Sequence, residues 1–198
     1  VLSTNVHQAL RFGPRAAWGS AVKYWRVILT TCLGIVISAP FVVVLPQQLL
    51  FALLGVPVMG FALLQLSGWA PTIKPRHRAP AELGLGMIGG LYGGISGIWG
   101  PPVIVYLLAI RAEKAEMVRV LGVVFMIGAV VLTVAHLGSG LLNAVTLPLS
   151  AAMVVPAALG MWLGFRMQDR LDPVRFRRWT LIVLIVVALN LLRRAITG

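Results

Sequence analysis

The sequence is poor in charge and poorest in acid: it has five carboxylate side chains in 198 residues, Glu82, Glu113, Glu116, Asp169 and Asp172, against 17 Lys and Arg. Its single cysteine, Cys32, excludes a disulfide within the chain and reads as a small residue of an apolar run. No HExxH, no carboxylate pair inside an apolar run and no nucleophile beside a base is present. The chain therefore offers no catalytic residue, no metal-ligand set and no cofactor motif, and it reads as a non-enzyme. Lys and Arg are missing altogether from Val27 to Ser67 and from Gly84 to Ile110. The net charge of +12 would suggest nucleic acid in a soluble protein, but no basic stripe is interleaved with stacking aromatics, which excludes that partner.

What is present is hydrocarbon. The chain is 59% hydrophobic, with a mean hydropathy of +0.94, and its basic residues gather in short clusters between apolar runs. That is the pattern of an all-α polytopic membrane protein whose solvent is the lipid bilayer. The runs are Arg26 to Leu45, Leu49 to Leu66, Met117 to Leu137, Val145 to Phe165 and Trp179 to Leu192. Ahead of them, Val1 to Trp25 reads as a helix end, a break at Gly13-Pro14 and a loop.

A further stretch, Gly84 to Ile110, is apolar and broken, with eight glycines and the pair Pro101-Pro102. Gly costs a helix interior about 1 kcal/mol and Pro about 3, so Gly93 to Pro102 is expected to interrupt the helix and leave two arms, Gly84 to Gly93 and Val103 to Ile110. Irregular backbone at membrane depth persists only where protein covers it or where it lines a cavity, which makes this stretch the site candidate.

Loop charge sets the topology. Positive charges in successive loops number four up to Arg26, none near Pro46, three from Lys74 to Arg78, three from Arg111 to Arg119, none from Gly138 to Leu147 and five from Arg166 to Arg178. A full crossing by Gly84 to Ile110 would put basic loops outside. A re-entrant pair returning to its own side makes every one of them cytoplasmic.

In that topology, residues near Leu33-Gly34 overlie Leu159-Gly160 at an offset of 126, and the helices Leu49 to Leu66 and Arg175 to Leu192 fall in step with opposite orientation. The expected fold is an inverted-repeat helical bundle with a Gly/Pro-broken re-entrant helix pair. It divides into a part of a first repeat at 1–66 with two membrane helices, a basic Pro-rich linker at 67–83, and a second repeat at 84–198 with the broken element at 84–110 and three further helices. The counterpart of Gly84 falls before Val1, so a first Gly-rich element is expected outside this stretch of sequence.

The run GGLYGGISGIWGPPVIVYLLA, followed by a charged turn and Arg119, resembles the second-repeat signature of the sulfite exporter TauE/SafE family of membrane transporters. The resemblance is carried by Gly90, Gly93, Gly94, Ser96, Gly97, Gly100, Pro101, Pro102, Tyr106, Leu107 and Leu108. It departs at Trp99, where the family more often has Gly. The resemblance implies export of small anions of organosulfur metabolism, sulfite among them, from a multi-pass protein of the inner (plasma) membrane.

The expected substrate-binding set is Gly94, Ser96, Gly97, Trp99, Gly100, Pro101, Pro102, Val103 and Ile104. With no cation at hand, the donors for an anion are amide N–H groups at a helix start, those of Val103 and Ile104 first, because Pro101 and Pro102 have none. Other readings stand beside this one. The glycines can serve close helix packing, and Ser96 can bond back to a carbonyl. Trp99 can anchor at an interface; His136 lies one residue before a turn where water can solvate it; Asn190 can tie helices together. A membrane-embedded assembly or chaperone subunit without transport of its own is the alternative function, and a homo-oligomer is left open.

Overall fold

The computed structural model describes residues 5, 9, 10, 13–68, 72–170 and 172–197, and among these the regular structure is helical. In order come α1 (Pro14–Lys23), α2 (Trp25–Ser38) continued by a 3-10 turn (Ala39–Val43), and α3 (Gln47–Leu66). A second 3-10 turn (Pro75–His77) leads into α4 (Arg78–Ser96), followed by α5 (Gly100–Ala109), α6 (Lys114–Gly138), α7 (Thr146–Ala152), α8 (Val154–Arg170) and α9 (Pro173–Thr197). Four segments, Trp25–Val43, Gln47–Leu66, Lys114–Gly138 and Arg178–Thr197, are long and apolar enough to cross a membrane. This is an all-α membrane fold. It forms two compact units, Val1–Val44 with Ala70–Gly140, and Leu45–Trp69 with Leu141–Gly198.

The first unit is organised by α2 against α4, and its packing corrects the expected break. The glycines from Gly84 onward do not end the helix: α4 runs 19 residues from Arg78 to Ser96, about 28 Å, and only Gly97 to Trp99 is non-helical. The intrinsic cost of these glycines is offset because their missing side chains admit another backbone. A Cβ on Gly86, Gly90 or Gly94 would collide with Thr30 Oγ1, the Thr31 carbonyl oxygen or Ser38 Oγ of α2, and one on Gly34 would lie 2.6 Å from the Leu91 nitrogen. At that approach α2 hydroxyls reach across: Thr31 Oγ1 donates to the Gly86 carbonyl at 3.2 Å and Ser38 Oγ to that of Gly90 at 3.4 Å. Lipid tails supply no drive for helix pairing, so close packing and these bonds must hold the pair. Pro101 and Pro102 likewise do not break a helix but begin α5, where their missing N–H groups cost nothing.

Other boundaries shift for similar reasons. Gly13-Pro14 opens α1, with Pro at the first turn, where a loop was expected. The linker at 67–83 gives up its last residues to α4, which begins at Arg78. The expected single helix Val145 to Phe165 is two, α7 and α8, interrupted at Met153, where the ring of Pro156 disfavours helical backbone four residues earlier; α3 by contrast runs on through Pro57. The basic stretch Arg166 to Arg178 is mostly the end of α8 and the start of α9.

α4 and α5 fold back as a hairpin. The Ile73 N–H, ahead of α4, donates to the carbonyl of Ala109 at the end of α5 at 3.0 Å, and Tyr106 Oη donates to Glu82 Oε1 at 2.6 Å. Both ends of the broken element thus lie together, at the basic end of the unit. There Lys23 pairs with Glu116, Tyr24 Oη donates to the same carboxylate at 3.0 Å, and Arg119 Nε donates to Ser20 Oγ at 2.6 Å. Burial and the Glu116 bond push the Tyr24 phenol well above its usual range, so it stays a donor.

In the second unit α3 pairs with α9. A Cβ on Gly55 would lie 2.9 Å from Leu192 Cγ and 3.2 Å from the Ala188 carbonyl oxygen. Among described side chains the buried positions are Gly55 and Ala62 on α3, and Leu181 and Ala188 on α9, two pairs each 126 residues apart. The offset does not extend to the surroundings of the LG pairs. Gly34 is pressed against α4, whereas Gly160 has open space.

Two expectations follow. Replacing Gly90 by Ala should destabilise the protein by about 1–3 kcal/mol through forced separation of α2 and α4, while Gly84→Ala, with open space at its Cβ, should be neutral or stabilising by up to about 1 kcal/mol. Thermal unfolding of the two variants in detergent checks this. Single cysteines at Ala79 and Ala112, in a Cys32→Ala background, should react with an impermeant thiol reagent from the same, cytoplasmic side, and labelling of Ala112 alone from outside would refute the hairpin.

Candidate functional site

The connection between α4 and α5 is three residues long and built almost wholly from its own chain. Gly97 ends α4 at φ 72, the left-handed conformation Gly adopts without a Cβ penalty, and its N–H donates to the Gly93 carbonyl at 2.7 Å. Ser96 Oγ donates to the Tyr92 carbonyl at 2.8 Å and accepts from the Ile98 N–H at 3.0 Å. The hydroxyl proton is thus committed inside the turn, which makes Ser96 a fastener of the connection.

Trp99 is the centre of the arrangement. It is 5% exposed, and its indole lies in notches left by two glycines on different helices. A Cβ on Gly93 of α4 would stand 2.9 Å from Cε3, and one on Gly128 of α6 would stand 2.9 Å from Cε2 and 3.1 Å from Nε1. Phe125 meets the ring edge-on, with centroids 6.1 Å apart and planes at 81°. Packed this way the ring is a wedge fixing the turn between α4 and α6. Its Nε1–H is nonetheless buried with no hydrogen-bond partner. An unpaired buried donor costs about 1–3 kcal/mol, so this group is poised to accept a partner.

The start of α5 lies beside it. Trp99 holds the N-cap position and no side chain caps the helix, and since Pro101 and Pro102 have no N–H, the amides left free at the positive end of this ten-residue helix are those of Trp99 and Gly100. Gly100 is buried, and a Cβ there would meet Phe125 Cζ at 3.0 Å. Pro101, Pro102 and Ile104 are half-buried and Val103 is fully buried.

Ser96, Gly97, Trp99, Gly100, Pro101 and Pro102 are therefore brought into one turn, whereas the amides of Val103 and Ile104, the expected donors, are taken up by the first helical bonds back to the carbonyls of Trp99 and Gly100. Gly94 points elsewhere, its Cα facing Ser38 and the Ile35 carbonyl on α2. His136, near the end of α6, is half-buried, and its Nε2 is buried without a hydrogen-bond partner, where the sequence suggested a solvated interface. Asn190 accepts a hydrogen bond from Arg193 of its own helix at 3.1 Å on an exposed face, so it ties no neighbouring helix through that bond. The residue that sequence reasoning passed over is Glu82, 8% exposed, assigned to a linker. A lone carboxylate four residues beyond Arg78 and directly before 28 uncharged residues, Leu83 to Ile110, is the signal that could have found it.

A sequence model of the sulfite exporter TauE/SafE family matches residues 1–191. No curated protein and no solved structure matches the chain.

Replacement of Trp99 by Phe keeps a ring in the notches and removes an unpaired donor, so its unfolding midpoint should stay at or above that of the wild type. Trp99→Ala should cost about 3–5 kcal/mol. A midpoint for Trp99→Phe as low as that for Trp99→Ala in the same thermal assay would show that Nε1 has a structural partner.

Proposed function

The chain belongs to the sulfite exporter TauE/SafE family of membrane transporters, and on that premise we propose that it exports a small sulfur oxyanion, sulfite or an organosulfonate, across the inner (plasma) membrane. The anion is held at the α4–α5 connection. The observation that carries this reading is the buried, unpartnered Trp99 Nε1–H beside an uncapped helix start.

The donor set is uncharged: Trp99 Nε1 and the backbone amides of Trp99 and Gly100, the N–H groups left free at this helix start. A helix start carries about half a positive charge on its free N–H groups, enough for anion sites and weak enough for release. Gly97 and the two prolines shape the turn, Ser96 fastens it, and Gly94 sets the seat of α4 on α2. The inverted repeat, 1–66 against 84–198 with the linker between, is supported by the paired burial of α3 and α9. The alternative reading as an assembly subunit relied on free small-residue faces. It is weakened because α2 fills the Gly86, Gly90 and Gly94 face within the chain.

Flux of sulfite and small sulfonates into or out of proteoliposomes tests the proposal. Trp99→Phe should weaken anion binding by about tenfold or more, the worth of one hydrogen bond to a charged group, without loss of fold. Gly100→Val should lower flux more severely, since its side chain presses on Phe125 across the helix start; Ser96→Ala should lower it by loosening the turn. Wild-type affinity in Trp99→Phe together with wild-type flux in Gly100→Val would place the site elsewhere.

A further inference from the structure

The basic end of the first unit carries charge that its own packing does not use. The 3-10 turn ahead of α4, the connection from α5 to α6 and the start of α2 are brought together there. The Ile73 bond to Ala109 sets Lys74 beside the end of α5, and Glu82, bonded by Tyr106 and 3.7 Å from Arg26, ties α2 to both arms of the hairpin. The carboxylates described at this end are Glu82, Glu113 and Glu116. Glu82 faces Arg26 and Glu116 pairs with Lys23, whereas among the described residues Lys74, Arg76, Arg78, Arg111 and Lys114 are exposed and in no ion pair. Glu113 alone is left against these cations.

Arg111 is the member of this group whose presence the fold explains least. Its φ is 56, and it is the one residue other than glycine described with a positive φ. The turn needs that left-handed geometry, because the Arg111 N–H donates to the Leu108 carbonyl at 3.0 Å and the Ala112 N–H to that of Leu107 at 3.0 Å, closing the end of α5. Glycine would serve there without a Cβ penalty, so the arginine is accounted for by its side chain and not by its backbone. An excess of positive charge on one side of a membrane explains the sign of the group, but it would be met equally by an arginine at an unstrained neighbouring position.

The surroundings of these cations identify a partner. Trp18 on α1 and Trp25 at the start of α2 are 73% and 53% exposed, Val22 between them is exposed too, and the Arg26 guanidinium stands 5.5 Å from the centre of the Trp25 ring. Exposed indoles beside basic side chains suit the level of lipid headgroups, where the rings enter the acyl boundary and the cations stay among phosphates. A soluble anion or an acidic protein would leave those rings in water. We propose that the basic end of the first unit is a binding surface for anionic phospholipid headgroups, with Arg111 at its centre and Lys74, Arg76, Arg78 and Lys114 around it. A guanidinium can take two phosphate oxygens in its fork, and the lysines add point charge. The surface belongs to the membrane side of the protein and does not depend on what the α4–α5 connection holds.

The test compares the full chain in nanodiscs of POPC and of equal parts POPC and POPG. The wild type should unfold at a higher midpoint with POPG, and high salt should shrink the difference. Arg111→Gly relieves the backbone, so in POPC its midpoint should match the wild type or exceed it by about 2–4 °C. Its affinity for POPG, titrated against POPC in detergent, should nonetheless fall about fivefold, the worth of one basic residue at an anionic surface. Arg111→Lys should keep most of that affinity, and Lys114→Gln, which alters no strained backbone, should lose a similar factor. Equal wild-type midpoints in the two bilayers, or wild-type POPG affinity in both Arg111→Gly and Lys114→Gln, would overturn the proposal. So would a POPC midpoint raised as far by inorganic phosphate or by polyglutamate as by POPG, which would assign the cations to a soluble anion or to an acidic protein.

Discussion

The near contact of two backbones, α2 and α4, is the constraint from which the first unit is built. Gly34 sits against Gly90 and Leu91, and Gly86, Gly90 and Gly94 recur every four residues along the face that meets Thr30, Thr31 and Ser38. At ordinary interhelical distances those hydroxyls would bond only within their own helix, as Ser38 does to Gly34 at 2.9 Å. Brought closer, they also reach carbonyls of α4. In water such a face would be a weak way to join helices, since it buries little hydrocarbon. In lipid, where Leu against Leu gains little over Leu against a lipid tail, dispersion and hydrogen bonds at short range are what remains to be optimised.

With α4 fixed on α2, the position of the turn is set, and a second glycine device comes into play. Gly93 lies on a different face of α4 from Gly90 and Gly94, and with Gly128 of α6 it receives the indole of Trp99. A bulky side chain at the turn thus fills a space made for it by two absences, and α5 is aimed back toward the basic end. The return path is short, ten residues against nineteen, and the ends meet through Ile73, ahead of α4, and Glu82, one turn into it. Closure at the far end then falls to Tyr106, Glu82 and the Ile73 to Ala109 bond.

Much of this was legible in the sequence, and the parts that were not have a common cause. The long apolar helices and the helix pair were readable because hydropathy acts over many residues and does not depend on partners. The extent of α4 was not, because the propensity cost of Gly is a local quantity whereas the compensation comes from α2, some fifty residues away in sequence. The break at Met153 was not legible because proline does not decide a break alone: α3 runs through Pro57 uninterrupted, whereas α7 ends four residues before Pro156. Ser96, Gly97 and Trp99 to Pro102 were grouped in the sequence and do lie in one turn, but the sequence could not divide their parts. Only the hydrogen bonds of Ser96 and the notches around Trp99 separate a fastener from a free donor.

That division bears on how a chain with no midplane cation could handle an anion. A lysine or arginine at the turn would bind more strongly, yet a full charge desolvated at that depth costs several kcal/mol when the site is empty, and the occupied site would hold its cargo tightly. Partial charges avoid both penalties. The indole N–H of Trp99 is already desolvated by packing that serves the fold, so the cost of burying it is met whether or not an anion is present. A ligand that supplies its missing hydrogen bond gains that contact without further burial of protein. The same tryptophan is therefore suited to two tasks: its ring holds the turn, and its single polar atom is left without a partner by that packing, next to Gly128 of α6 and in the residue that precedes the start of α5.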